Sequence, residues 1–161
     1  SPQCDACPLA HACLAHAEGT MEEFPVKEKR TKVSNRFFTY LFLTDGKDIL
    51  LHRRPKGDIW QGLYEPLLIE TIAPLTEKAL WKHPFVAPFF KSKATLTPIA
   101  SNLVHKLSHQ HLHTDAYLLR TIAPLPVPVQ EDTFIVPLSE LNNYALPRLV
   151  TRILEMIENW G

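Results

Sequence analysis

Three cysteines stand close together near the start of the chain, Cys4-x2-Cys7-x5-Cys13, a spacing tight enough for thiolates to share a soft metal ion. Three thiols complete neither a disulfide framework nor a four-thiolate cage, so one ligand is missing or is not cysteine. Three readings stay open: part of an iron-sulfur site, a Cys3His zinc site using His11 or His16, or free thiols without function. A second group is basic. Arg53, Arg54 and Lys56 end an apolar run and offer either phosphate contacts or a solvated rim. A third is the histidine-rich stretch holding His105, His109, His111 and His113. His111 and His113 flank Leu112 on one strand face and read as a solvent-facing pair, with a His-x-His metal pair as the alternative. Trp60 and Tyr64 read as packing residues, with a base-stacking platform as the alternative.

Formal net charge is zero, yet the charges are unevenly placed. Residues 36–129 carry 11 Lys and Arg against 7 Asp and Glu, whereas the segments on either side are acidic. A neutral chain does not coat nucleic acid without selectivity, but a phosphate-facing surface in its middle is open beside the alternative of an ordinary solvated face. No apolar run approaches the roughly 20 residues of a membrane span, which reads as a soluble protein. The start, Ser1-Pro2-Gln3-Cys4, has neither initiator Met nor the apolar core of a secretion signal, and reads as an internal boundary.

These groups need elements to hold them. Residues 1–18 contain every cysteine and little that could form a core, and residues 19–35 read as a linker that turns basic at Lys27, Lys29, Arg30 and Lys32. The folded part begins at Arg36. Phe37 to Leu43 is too rich in aromatic residues for a helix and reads as a buried strand; Asp45-Gly46 turns it, and Ile49 to Arg54 is expected to return as its hairpin partner. A mixed segment follows from Trp60 to Glu70. Thr76 is an N-cap for a short helix from Glu77 to about Lys82, with Leu75 and Leu80 as its hydrophobic staple. Ala100–Leu107 and His111–Leu119 form a second hairpin around Ser108-His109-Gln110, and Thr133–Val136 adds a strand. Pro147 suits the first turn of a terminal helix whose Leu149, Val150, Ile153, Leu154 and Ile157 make one stripe. The class is α+β, a mostly β sheet with helices on it.

Several of these stretches resemble the MutY family of adenine DNA glycosylases. Cys4-Asp5-Ala6-Cys7-Pro8-Leu9 followed by Cys13 resembles the last three ligands of the [4Fe-4S] cluster closing that family's catalytic domain. The family's first ligand would precede Ser1. The resemblance therefore implies a [4Fe-4S] cluster in a full-length protein and an empty remnant in this segment alone. Phe24-Pro25-Val26-Lys27-Glu28-Lys29 resembles the segment between the two MutY domains, and Asp58 to Glu65 the turn after the first hairpin. Most specific is His105-Lys106-Leu107-Ser108-His109-Gln110-His111-Leu112, similar to the family's Phe-Ser-His loop with Leu107 in place of Phe.

What the resemblance implies is a fold like MutT, a Nudix hydrolase: a mixed β-sheet packed with helices over residues 36–161. It also implies double-stranded DNA carrying 8-oxoguanine opposite adenine as partner, with the chain's own N-terminal catalytic domain as a second. A cytoplasmic bacterial monomer is expected. Base removal would belong to the full-length enzyme, because the family keeps its catalytic Glu and Asp in that other domain. Leu107, Ser108 and His109 are then the lesion readers. 8-Oxoguanine carries a hydrogen at N7, where guanine has an acceptor, so its reader must accept there. The Ser108 hydroxyl can accept from N7–H or donate to O8. Leu107 would pack near the lesion, and His109 would touch a phosphate or hold the loop. Nudix hydrolysis needs a loop and helix rich in glutamate to hold Mg²⁺. Gly62, the best-placed glycine, is followed by Leu68 where the first Glu of that pattern belongs, and no Arg-Glu pair occurs, which argues against diphosphate hydrolysis.

Overall fold

The computed structural model describes residues 3–26, 32–91, 94–125 and 132–157, and the chain divides into two compact units, Ser1–Lys32 and Val33–Gly161. Lys27, Lys29 and Arg30 of the expected linker lie outside the described residues. The first unit contains three one-turn 3-10 helices, Cys4–Ala6, Ala10–Ala12 and Met21–Glu23, and the single turn α1 (Leu14–Ala17). None of the four buries a residue, and Leu9 and Leu14 stand largely in solvent. So short a piece has too few apolar side chains to enclose a core.

The second unit is built on one six-stranded sheet in the order β4-β5-β1-β3-β2-β6. Its centre is β1 (Ser34–Thr44), paired parallel to β5 (Gln110–Arg120) and antiparallel to β3 (Tyr64–Thr71). Every residue from Phe38 to Thr44 is buried. That explains the lack of polar alternation in the run, since a central strand covered on both faces has no solvated side to alternate with. Phe38, Tyr40 and Phe42 face one core; Leu41 and Leu43 face the other.

The expected first hairpin needs correction. β2 (Asp48–Arg53) meets β1 at one registered pair, Thr44↔Ile49, and takes β3 and β6 (Thr133–Pro137) as its ladder partners. Ile49, Leu50 and Leu51 are all buried, so β2 is covered on both faces, and its edges are taken by β3 and β6, while β1 is already flanked by β5 and β3. The mixed segment after Trp60 is the strand that intervenes. The first residues of β3 pair with β2 and its later ones with β1; Pro66, which has no N–H to donate, sits at the changeover, where only β2 is in register.

The second hairpin forms as expected, with a longer first strand. β4 (Thr95–Lys106) runs antiparallel to β5, and Leu107-Ser108-His109 joins them. β4 is an edge strand, which is why it tolerates Pro98 and two register shifts. At the second, Asn102 adopts φ 55° and its N–H bonds Asp115 Oδ1 at 2.8 Å. Helices cover both faces. α2 (Glu77–Trp81) is capped by Thr76 Oγ1, which accepts from the Ala79 N–H, and buries Leu80 against Leu41 and Leu43. α3 (Arg148–Leu154) begins one residue after Pro147 and buries Leu149, Val150 and Ile153 against Phe38, Tyr40 and Phe42, with Leu154 and Ile157 half-buried. Among the described residues no helix is long and apolar enough to cross a membrane.

Candidate nucleic-acid interface

The apex between β4 and β5 separates its residues by burial. Leu107 is half-buried and packs against the core that contains Leu112, whereas Ser108 and His109 are exposed. The turn is closed by the Leu107 N–H donating to the Gln110 carbonyl at 2.8 Å. The start of β1 then ties it to the sheet, because the Ser34 N–H donates to the His109 carbonyl at 3.1 Å. The backbone of the apex is therefore held while two polar side chains point outward.

Beside this hairpin lies a chain of charges that sequence reasoning missed. Arg36 makes two bidentate pairs, its Nε and Nη2 to Glu70 at 2.6 and 2.7 Å and its Nη1 and Nη2 to Asp58 at 2.6 and 2.9 Å. Arg54 donates from Nη1 to both Glu65 oxygens at 2.8 Å, from Nη2 to Asp58 and from Nε to the Ile59 carbonyl at 2.7 Å. The Tyr40 hydroxyl completes Glu65 at 2.9 Å. Both guanidinium groups lie over the Phe38 ring. The arrangement runs Glu70–Arg36–Asp58–Arg54–Glu65–Tyr40, alternating in sign until the phenol. A hint was present in the sequence, since Glu65 interrupts an apolar strand and must find a cation if buried.

Arg54 is thus corrected as a phosphate contact. It is 3 % exposed with its donors committed, so it has no face left for a ligand. Arg53 and Lys56 are exposed on either side of it. Their alternation with Arg54 along the chain puts one arginine in the core and leaves the others at the surface.

Asp58 and Tyr40 respond to these partners. Hydrogen bonds from Arg36 hold the Asp58 carboxyl down at about 2, below its ordinary 3.8, against the opposing effect of its partial burial. Burial pushes the Tyr40 phenol well up, and the neighbouring Glu65 adds to it. Because the folded state of Asp58 binds its proton more weakly than the unfolded state, its contribution is complete above about pH 4 and is lost as pH falls from there through 2. Its side chain is 29 % exposed, so solvent screening leaves about 1–2 kcal/mol. Urea unfolding from pH 6 to 2.5 is expected to show this loss, and Asp58→Asn to flatten the acid limb; an Asp58→Asn profile parallel to the parent's contradicts the assignment.

The same pairs bear on hydrolysis. A cleft of about 230 Å³ between β2, β3 and Phe85 is lined by Asp58, Glu65 and Glu70, and all three carboxylates are bound by arginine. The loop and helix that follow β3, residues 72–82, add only Glu77. Oxygen ligands held by guanidinium do not serve a hard divalent cation.

At the other candidate positions, Cys4 is half-exposed and Cys7 and Cys13 are exposed, all as free thiols. Among the described residues no three His, Cys, Asp or Glu side chains are grouped to hold a metal, so the cysteines as placed do not fit an iron-sulfur cluster. His111 and His113 are half-buried rather than open to solvent: His113 stacks on Phe37 at 5.0 Å and bonds Asn35 Oδ1 at 3.0 Å. Trp60 and Tyr64 pack against the core, as expected.

Comparison with known proteins bears on the fold. The adenine DNA glycosylase of Buchnera aphidicola subsp. Acyrthosiphon pisum is 23 % identical over 122 residues, which are 74 % of this chain and 32 % of that protein. The chain spans less than half the length of the curated relatives it matches. The C-terminal domain of mouse MUTYH, solved in complex with human PCNA, superposes with a TM-score of 0.50 at 16 % identity, covering 75 % of this chain and 86 % of that one. The E. coli ORF135 protein gives a TM-score of 0.52 at 17 % identity, covering 77 % of this chain and 89 % of that one. These likenesses are in fold. The profile of the NUDIX domain matches residues 39–156, nearly all of the sheet and the helices on it, and the chain belongs to the Nudix domain family.

Proposed function

We propose that this chain is the lesion-recognition part of an adenine DNA glycosylase, reading 8-oxoguanine opposite adenine in double-stranded DNA while a separate N-terminal domain removes the adenine. The observation that carries this reading is the apex, where Ser108 and His109 are exposed on a turn whose backbone is tied to β1 and whose half-buried Leu107 packs against the core. Ser108 accepts from the lesion's N7–H, a donor that guanine lacks, and His109 meets the backbone beside it. Arg53 and Lys56 supply phosphate contacts that position without reading sequence. The curated relatives named adenine DNA glycosylase support the reaction class. Diphosphate hydrolysis, the other activity the family raises, is disfavoured by carboxylates already bound to Arg36 and Arg54. The four-iron cluster of the parent enzyme is likewise a proposal about the longer protein.

The test is adenine release by the full-length protein from two duplexes that differ only at the base opposite adenine. Faster single-turnover release opposite 8-oxoguanine than opposite guanine is expected. Equal rates on the two duplexes overturn the reading.

A further inference from the structure

The loop between β2 and β3, residues 54–63, touches the β4 leg of the β4–β5 hairpin near its apex and is linked to the β5 leg through Arg36 of β1. On the β4 leg, the Trp60 indole meets the His105 ring edge to face at 5.7 Å, two residues before Leu107. On the β5 leg, Arg36, fixed by Asp58 of the same loop, donates to Gln110 Oε1 at 3.4 Å, immediately after His109. Trp60 adopts φ 58°, a left-handed conformation that a bulky residue rarely takes. It is held there by its neighbours: the Leu63 N–H donates to the Trp60 carbonyl at 3.0 Å, Arg54 grips the Ile59 carbonyl, and the Arg54 guanidinium lies 5.9 Å from the indole centroid. Strained backbone that the surroundings enforce points to a requirement for the side chain's position.

We infer that Trp60 is a positioning residue for lesion discrimination, bracing the apex through His105 while Asp58 and Arg36 brace the other leg. The inference rests on the reading of Ser108 and His109 given above. It gives the buried ion pairs a function besides stability, because they fix the loop that carries Trp60. A hydroxyl that must distinguish N7–H from a bare N7 acts within a few tenths of an ångström, and a three-residue apex supported on both legs is what keeps it there. Trp60 is half-buried and makes no claim on the lesion itself.

The experiment compares Trp60→Ala and Trp60→Phe in the full-length protein, with the ratio of adenine release opposite 8-oxoguanine and guanine as the readout. Alanine is expected to lower that ratio roughly 3- to 30-fold. Phenylalanine, which keeps an aromatic edge for His105, is expected to restore most of it. In parallel, amide exchange in the 161-residue chain without DNA is expected to speed up at the Leu107 N–H in Trp60→Ala and to stay unchanged at Phe42. A lower melting temperature with an unchanged ratio, or unchanged exchange at Leu107, overturns the inference. A parent protein that shows no preference overturns the reading of the site, and the exchange measurement then still decides whether the loop braces the apex.

Discussion

Replacing Arg54 by methionine is expected to destabilise the folded unit by about 3–5 kcal/mol, seen as a large drop in the urea midpoint. The side chains of Arg54 and Glu65 are 2 % and 1 % exposed, so removing the cation strands a carboxylate in the core with the Tyr40 hydroxyl and, at 3.7 Å, the His52 ring as its remaining polar neighbours. Asp58 and the Ile59 carbonyl lose a donor at the same time, and the loop over residues 54–63 loses its main tie. Adding Glu65→Leu to Arg54→Met is expected to recover part of the loss, since an apolar pair removes the stranded charge although it leaves Tyr40 and Asp58 short of partners. A loss below about 1 kcal/mol in Arg54→Met would mean that water reaches the pair and screens it.

The second large effect concerns function. Ser108→Ala combined with His109→Ala, in the full-length enzyme, is expected to reduce the preference for adenine opposite 8-oxoguanine over adenine opposite guanine by about 1–3 kcal/mol, or roughly 5- to 150-fold. Both side chains are exposed and the turn is closed by backbone bonds from Leu107 and Ser34, so stability should shift by less than about 0.5 kcal/mol. That contrast separates the pair from Arg54, whose loss acts through folding. Single-turnover rates on both duplexes, with melting temperatures for each variant, measure the two effects side by side.

Much of the architecture could be read from local patterns. The run from Phe37 to Leu43, the Thr76 cap and the stripe of Leu149, Val150 and Ile153 each depend on near neighbours in sequence, and each forms where periodicity puts it. The β1–β2 hairpin shrinks to one registered pair because strand order is a long-range matter: Asp45-Gly46 makes a turn, yet β3, arriving later in the chain, takes the place beside β1. Of the candidate site, the apex was legible through its polar turn and its resemblance to a known loop. The fate of Arg54 was not, because a charge that looks solvent-facing in sequence is decided by carboxylates 4 and 11 residues away and by Phe38 on another strand. Arg36 was invisible for the same reason, its partners lying 22 and 34 residues distant.

Lesion reading rests on a contact between one hydroxyl and one lesion hydrogen. It is tested most directly by combining Ser108→Ala with a duplex in which 8-oxoguanine is replaced by its 7-deaza analogue, which keeps O8 and lacks the N7–H donor. Ser108→Ala is predicted to slow adenine release opposite 8-oxoguanine and to have no effect opposite the analogue or opposite guanine. An equal loss on all three duplexes would contradict that contact.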